Sequence, residues 1–107
     1  MKKVVLGLGL ACMSLAASAS TDINCGGKVS WVMADNASCG GFVALKTEAT
    51  GGKQGKWMCT KSKSADDLAL AALLNNKTVE VYIDGSDVGS CQALPHYRKI
   101  NYIIINP

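Results

Sequence analysis

The stretch that decides the fold runs from Trp57 to Asp84 and reads WMCTKSKSADDLALAALLNNKTVEVYID. It predicts the end of one strand, a single helix, and then a second strand. Ser64 is the expected helix N-cap, because its hydroxyl can accept a hydrogen bond from the backbone N–H three residues further on. Asp67 stands at that position and completes the pattern of a capping box. The helix is therefore expected to start at Ser64.

The composition of this stretch also predicts where the helix ends and the next strand begins. Residues 68–74 contain only Leu and Ala, which are strong helix formers. Asn75 and Asn76 follow, and Asn tolerates the left-handed conformation that commonly ends a helix. Residues 78–84 then alternate apolar and polar side chains, which is typical of a half-buried strand.

The helix is apolar on two sides. At about 100° per residue, one side carries Leu70, Leu73 and Leu74, and the other carries Leu68, Ala69 and Ala72. The sheet of a small domain can cover one of these sides. The alanine side either faces water, which Ala tolerates, or is covered by a second copy of the chain. On the second interpretation, Leu68, Ala69 and Ala72 belong to an oligomer interface.

Residues 1–19 predict a secretory signal peptide. Lys2 and Lys3 precede a short apolar run, and an A-x-A cleavage site ends at Ala19. The run is too short to span a membrane. Cleavage leaves a single domain at 20–107, and a lipoprotein attached through Cys12 is the alternative. The expected location is secreted or periplasmic.

Charge and composition argue against a nucleic-acid partner. Without the signal peptide, the chain has nine Lys plus Arg (11 − 2) against eight Asp plus Glu. Phosphate binding needs a concentrated basic face, which a nearly neutral domain lacks. The lysines between Lys53 and Lys63 are interpreted as a solvated loop and strand end.

Four cysteines remain after cleavage, and they predict two disulfides. The cysteines are Cys25, Cys39, Cys59 and Cys91, which allow three pairings. Paired cysteines are typical of small exported domains. A zinc site is the competing interpretation, but it requires close pairs such as C-x-x-C, and none is present. No metal and no cofactor are expected.

Besides the strand at 78–84, four strands are predicted, one of which includes the start of the stretch quoted above. They cover residues 28–33, 41–48, 56–60 and 98–106. In the first, Val29, Trp31 and Met33 are expected on one face. In the last, Ile103 and Ile105 lie opposite Ile100, Tyr102 and Ile104, so this strand is apolar on both faces. Ile103 and Ile105 are expected to contact a neighbouring loop or another subunit.

The predicted order is three strands, one helix and two strands, so the fold class is mainly β with one helix. This order matches an OB-fold, a five-stranded Greek-key barrel with its helix between strands 3 and 4. Ferredoxin-like and other α+β sandwiches are the alternatives. An OB barrel accommodates a Cys39–Cys59 bridge across the second and third strands. It also accommodates a Cys25–Cys91 bridge, because its first and fourth strands pair.

The sequence carries no pattern that predicts an enzyme. His96 is the only histidine, and no nucleophile motif, phosphate loop or metal-ligand spacing is present. Binding is the remaining class of function, and sugar sites use an aromatic face with a few polar groups. Tyr82 and Trp31 are the candidate glycan-binding residues. Tyr82 is favoured because it lies on the polar face of its strand.

Several of these features resemble the B subunits of subtilase cytotoxin, typhoid toxin and their pertussis-like relatives. The resemblance rests on C-T-K-S-K at 59–63, the Ala/Leu-rich helix, N-K-T-V-E-V-Y-I at 76–83, and Cys91 beyond a loop. Cys39 matches an earlier cysteine of that family. The resemblance covers residues 28–91, but it carries over no glycan site, because the sugar-contacting serine of the family has no match in residues 28–33.

The resemblance implies a secreted OB-fold protein that assembles as a homopentameric ring. Such a ring binds host-cell glycans on its outer surface and delivers a catalytic A subunit, while its helices line a central pore. The alternative function is a small periplasmic inhibitor, for example of lysozyme, that places the rigid loop 84–91 in the cleft of an enzyme. A structural module without separate activity is a third possibility.

Overall fold

The structure is a computed structural model that describes residues 21–107. The predicted signal peptide at 1–19 and the alternative lipid attachment at Cys12 lie outside the described residues. The described part contains one α-helix and seven strands. In chain order these are β1 (Asp22–Asn24), β2 (Gly27–Met33), β3 (Ala44–Thr47), β4 (Met58–Cys59), α1 (Lys63–Leu74), β5 (Thr78–Asp84), β6 (Arg98–Lys99) and β7 (Tyr102–Ile105).

Helix α1 starts earlier than predicted. Its N-cap is Ser62, whose side chain accepts a hydrogen bond from the backbone N–H of Ala65 at 3.1 Å. Ser62 has the extended backbone that an N-cap requires, whereas Ser64 already lies within the first turn. The prediction of Ser64 as the cap is therefore wrong, and Asp66, rather than Asp67, is the acidic residue that contacts the sheet.

The end of α1 confirms the predicted role of the two asparagines. Asn75 is the C-cap, and Asn76 adopts a left-handed backbone with φ of 54°. The N–H of Lys77 donates to the carbonyl oxygen of Ala72 at 2.9 Å, and the N–H of Asn76 donates to that of Leu73 at 3.3 Å. These two bonds form a Schellman motif, which turns the chain directly into β5.

The seven strands form a curled sheet in which β5 is central. Along one edge, β5 pairs antiparallel with β1 and then with the start of β2; along its other edge, it pairs antiparallel with β7. Strands β2, β3 and β4 follow one another as antiparallel neighbours. Strand β4 then pairs with β6 in parallel. The predicted class, mainly β with one helix, is confirmed.

The strand count differs from the prediction at both ends of the described chain. The short strand β1 pairs with β5 before β2 begins, so α1 follows the fourth strand rather than the third. The predicted last strand, 98–106, is divided into β6 and β7. The break falls at Ile100 and Asn101, because Ile100 turns inward and its N–H donates to the carbonyl oxygen of Cys59.

The core lies between the curled sheet and α1. Val79, Val81 and Ile83 of β5 are buried, as their alternation predicts. The helix contributes its small residues, Ala69 and Ala72, which are 0% and 1% exposed. Small side chains let the helix approach the sheet closely, and this chain therefore covers the alanine side itself.

This packing corrects the predicted oligomer interface. Ala69 and Ala72 belong to the core of the chain, and Leu68 packs against that core, so the expectation that a second copy covers this side is wrong. Leu70 and Leu74 are the exposed residues, at 46% and 74%. Leu73, on the same predicted side as Leu70 and Leu74, packs against the core.

Strand β2 contains a bulge that the alternation of its sequence does not reveal. Val29 pairs with Thr47 and Trp31 pairs with Lys46, so Ser30 is an extra residue on β2. The bulge reverses the orientation of the residues after it. Val29 is buried while Trp31 is 46% exposed, so the prediction that they share one face with Met33 is wrong.

The side chains of β7 that were expected at an interface face the inside of the protein. Ile103 is buried in the core, so its predicted place in an oligomer interface is wrong, and Ile105 is half-buried against the same core. Tyr102 and Ile104 point outward and are 51% and 42% exposed. The inward isoleucines are covered by the curled sheet and α1 of this chain.

Two disulfides connect the sheet, and they are the pairs that an OB barrel accommodates. Cys25, between β1 and β2, is bonded to Cys91 in the segment after β5. Cys39, in the connection before β3, is bonded to Cys59 at the end of β4. Disulfides of this kind are typical of exported proteins. Among the described residues, no helix has the length and apolar character needed to cross a membrane.

Candidate functional site

The outer face of β2, β3 and β4 carries two indole rings with a lysine between them. We call this surface the tryptophan face and define it by Trp31 on β2, Lys46 on β3 and Trp57 just before β4. The bulge in β2 turns Trp31 to this side, where it pairs directly with Lys46. Alternation along β3 places Lys46 outside because Leu45 is in the core. Strands β2 and β3 and the residue that precedes β4 thus each supply one side chain.

The Lys46 side chain is held against both rings. Its Nζ lies 5.4 Å from the ring centroid of Trp31 and 4.7 Å from that of Trp57. The two rings are tilted by 55°, with their centroids 6.1 Å apart. Nζ also donates a hydrogen bond to the carbonyl oxygen of Lys53 at 2.8 Å. Cation–π contacts of this kind are attractive, so the lysine orders both indoles.

The three residues of the tryptophan face differ in how exposed their side chains are. Trp57 and Lys46 are 8% and 9% exposed, whereas Trp31 is 46% exposed. Trp57 packs with Ala44 and the Cys39–Cys59 bridge in a second, smaller cluster. Trp31 therefore offers an accessible aromatic surface on a buried support.

A short segment after the 84–91 loop fixes the backbone of Trp57. The N–H of Tyr97 donates to the carbonyl oxygen of Trp57 at 2.8 Å, and the N–H of Trp57 donates to His96 Nδ1 at 3.2 Å. Tyr97 has a φ of 69°, an unusual value for a residue with a side chain. Lys56 Nζ donates to the carbonyl oxygen of Leu94 at 3.1 Å. These bonds tie residues 94–97 to the start of β4.

A separate aromatic pair lies on the outer face of β5 and β7. Tyr82 and Tyr102 are stacked, with ring centroids 4.9 Å apart and an interplanar angle of 24°. The Tyr82 hydroxyl donates to Glu80 Oε1 at 2.7 Å. This bond to a carboxylate raises the pKa of the Tyr82 phenol above its ordinary value. Tyr82 is thus already engaged by two neighbours, while Tyr102 stays half exposed.

An open groove of about 380 Å³ lies between the first turns of α1 and the start of β7. It is lined by Lys61, Ser62, Ser64, Ala65, Leu68, Ile100, Asn101, Tyr102 and Ile103. Its floor is apolar and its rim carries hydroxyl groups and one lysine. The tryptophan face does not contribute to this groove, so the two surfaces are distinct.

The 84–91 loop is held by a charged clamp. Arg98 donates from Nη1 and Nη2 to the two carboxylate oxygens of Asp87 at 2.6 and 2.8 Å, and from Nη1 to the carbonyl oxygen of Asp84. The hydrogen bond from Arg98 lowers the pKa of Asp87 to about 2. Cys91 anchors the far end of the loop through its disulfide. The loop is therefore fixed at both ends.

The structure does not bring the two predicted glycan-binding residues together. Trp31 belongs to the tryptophan face and Tyr82 to the tyrosine pair. Sequence reasoning missed Lys46, although its alternation with Leu45 already predicted an outward side chain. The proximity of Trp57 to Trp31 is not visible in the sequence either, because it depends on the pairing of three strands.

No family model, curated protein or solved structure that was compared with this chain matches it. Among the described residues, no group of three or more His, Cys, Asp or Glu side chains is arranged to hold a metal ion.

Proposed function

We propose that this chain is an exported carbohydrate-binding protein of the OB-fold class, related in function to toxin B subunits. The observation that carries the proposal is the half-exposed indole of Trp31, held rigidly beside Lys46 and Trp57. A rigid aromatic surface next to a fixed hydrogen-bond donor is the combination that sugar sites use.

The strand pairings support the OB-fold part of this proposal. Strand β6 pairs with β4 and strand β7 pairs with β5, so residues 98–105 connect the two edges of the curled sheet. When β1 with β2, and β6 with β7, are each counted as one bent strand, five strands remain. The helix then lies between the third and the fourth. This arrangement supports the proposal of a five-stranded Greek-key barrel.

The position of the tryptophan face supports a ligand site. In OB-folds, ligands bind on the outer face around the second and third strands and the adjoining loops. The second and third strands of such a barrel correspond here to β3 and β4. Lys46 lies on β3, and Trp57 is the residue directly before β4. Residues 96 and 97 come from the adjoining connection and contact Trp57. If the chain is an OB-fold, as we propose, the tryptophan face lies where this fold class binds oligosaccharides, which supports its assignment as the ligand site.

The chemistry of the face fits a sugar ring. The C–H groups of one sugar face pack against an indole, and aromatic side chains provide a large apolar contact. Lys46 Nζ has three N–H donors, of which the Lys53 carbonyl takes one. Lys46 is 9% exposed, so we assign the contact with a sugar hydroxyl group to one remaining donor at the small exposed part of this side chain. Met33 is 40% exposed and follows Trp31 on the same side of β2, which extends the apolar part of the face.

The ring assembly that the toxin resemblance implies needs an exposed apolar surface. Leu70 and Leu74 supply one on the outward side of α1, at 46% and 74% exposure. They are four residues apart and therefore lie on the same helix face. We accordingly propose that a homopentamer, if it forms as in the toxin B subunits, lines its pore with Leu70 and Leu74 and receives the catalytic A subunit there.

The first experiment is glycan-array binding of the oxidised protein, followed by titration calorimetry with any sugar that binds. Trp31→Ala should abolish binding, and Tyr102→Ala is the matched control because it removes an equally exposed aromatic ring from the other face. Loss of binding in both variants, or in Tyr102→Ala alone, contradicts the assignment of the site.

The native mass tests the assembly separately. Light scattering should give about five subunit masses for a ring, and Leu70→Glu with Leu74→Glu should dissociate it, because buried charges without partners are costly. A monomeric wild-type protein refutes the ring but leaves sugar binding at Trp31 open to the first experiment.

A second candidate function, inhibition of an enzyme such as lysozyme, is supported by the rigidity of the 84–91 loop. The Arg98–Asp87 clamp and the Cys25–Cys91 bridge hold this loop in one conformation. Preorganised loops lose little entropy on binding. If the protein is an inhibitor, the wild type should reduce lysozyme activity. Asp87→Ala should inhibit less strongly than the wild type, and Trp31→Ala should inhibit equally well.

A further inference from the structure

His96 is joined to the buried indole of the tryptophan face through the backbone. The N–H of Trp57 donates to His96 Nδ1 at 3.2 Å, and the neighbouring Tyr97 N–H donates to the carbonyl oxygen of Trp57 at 2.8 Å. Residues 96 and 97 thus bind both polar backbone groups of Trp57. Trp57 contacts Lys46 and Trp31, so a shift of its backbone would be transmitted to both.

The direction of this hydrogen bond fixes the proton on His96. A backbone N–H can only donate, so Nδ1 must accept, and the neutral imidazole carries its proton on Nε2. Protonation of Nδ1 would place two donors against each other and remove the bond. Histidine is the side chain whose charge commonly changes between pH 5 and 8. The contact is therefore compatible only with uncharged His96.

Three cationic side chains lie on the elements around this contact. Lys46 lies over the Trp57 ring, Lys56 donates to Leu94 beside the histidine, and Arg98 follows two residues later. The Tyr97 ring lies 5.8 Å from the His96 ring. Within residues 21–107, the two ion pairs are Lys63 with Asp67 and Arg98 with Asp87, and neither includes His96.

We propose that His96 is a positioning residue whose protonation releases the backbone of Trp57 and weakens ligand binding at the tryptophan face. This inference rests on the proposed carbohydrate binding at that face. His96 acts through Trp57 rather than by touching the ligand. The protein therefore binds its ligand more tightly at neutral pH than in mildly acidic solution.

The first test needs no ligand. Tryptophan fluorescence and the indole N–H resonances are followed from pH 8 to pH 5, since both tryptophans belong to the face. The wild type should show one transition in this range. His96→Asn should show none, because the amide oxygen can accept from the Trp57 N–H but gains no proton in this range; His96→Gln offers the same acceptor on a longer arm. The inference is overturned if the wild type shows no transition, or if His96→Asn and His96→Gln show the same transition as the wild type.

The second test measures binding of the sugar identified on the array at pH 7.5 and pH 5. The wild type should bind about fivefold more weakly at pH 5, which corresponds to one hydrogen bond of about 1 kcal/mol. His96→Asn should bind equally at both values. Equal wild-type affinities overturn the inference, whereas the lack of any bound sugar refutes the proposed function and leaves the fluorescence test to decide the switch.

Discussion

Asp66 connects the first turn of α1 to the sheet, and its removal should destabilise the protein strongly. Its carboxylate accepts a hydrogen bond from the N–H of Val43 at 3.0 Å and a second one from the hydroxyl of Thr60. Thr60 is fully buried, and its own N–H donates to the carbonyl oxygen of Val43. Asp66 therefore completes a polar junction between helix, β3 and β4.

The size of the effect follows from these bonds. A hydrogen bond to a charged group contributes about 1.5–3 kcal/mol. In Asp66→Ala the Val43 N–H loses its acceptor, while the Thr60 hydroxyl keeps a longer contact of 3.3 Å to the Val43 carbonyl. We expect a loss of about 2–4 kcal/mol in the free energy of unfolding. For a domain of this size that is a fall of about 10–20 °C in Tm.

Asp67→Ala is the matched control, because it removes the adjacent carboxylate from the same helix turn. Asp67 is exposed and pairs only loosely with Lys63, at 3.5 Å, so its loss should cost at most about 1 kcal/mol. Thermal unfolding followed by circular dichroism measures both variants. Equal falls in Tm for the two, or a larger one for Asp67→Ala, would refute the reasoning.

Three further predictions concern the cap, the loop clamp and the two indoles. Ser62→Ala should lower the free energy of unfolding by about 1 kcal/mol in urea titrations, with Ser64→Ala nearly neutral; the reverse order contradicts the observed cap. Asp87 has a pKa of about 2 in the folded protein, below its usual unfolded value, so its contribution to stability is present above about pH 4 and disappears as the pH falls towards 2. Asp87→Asn should therefore flatten the acid limb of a stability–pH curve, and an unchanged limb contradicts the clamp. Trp57→Ala should cost about 3–5 kcal/mol, and Trp31→Ala clearly less, because its ring is half exposed; equal losses would show that Trp31 is a core residue.

The elements that the sequence predicts well are those set by local pattern. The alternation of residues 78–84, the stop at Asn75 and Asn76, and the alanine- and leucine-rich helix all depend on neighbours a few residues away, and the structure confirms them. The two disulfides also follow once the strand order is known, because a bridge requires two cysteines on adjacent elements.

The errors arise where distant parts of the chain decide the outcome. The bulge at Ser30 depends on the register between β2 and β3, so no pattern within β2 shows that Trp31 faces outward. The alanine side of α1 faces inward because small side chains let the helix lie close to the curled sheet. The juxtaposition of Trp31, Lys46 and Trp57 has the same origin, since it exists only after three strands have paired.

The pairing of residues 98–105 with both β4 and β5 has a consequence for how the protein folds. Strand β4 meets β6 across about forty residues of chain, and β5 meets β7 across about twenty. Contacts so distant along the chain make folding slow. A nascent chain that ends before residue 98 leaves β4 and one edge of β5 without these neighbours, and open strand edges promote aggregation. Both pairings become possible only once residues 98–105 have been synthesised, which favours closure of the sheet after this segment is available.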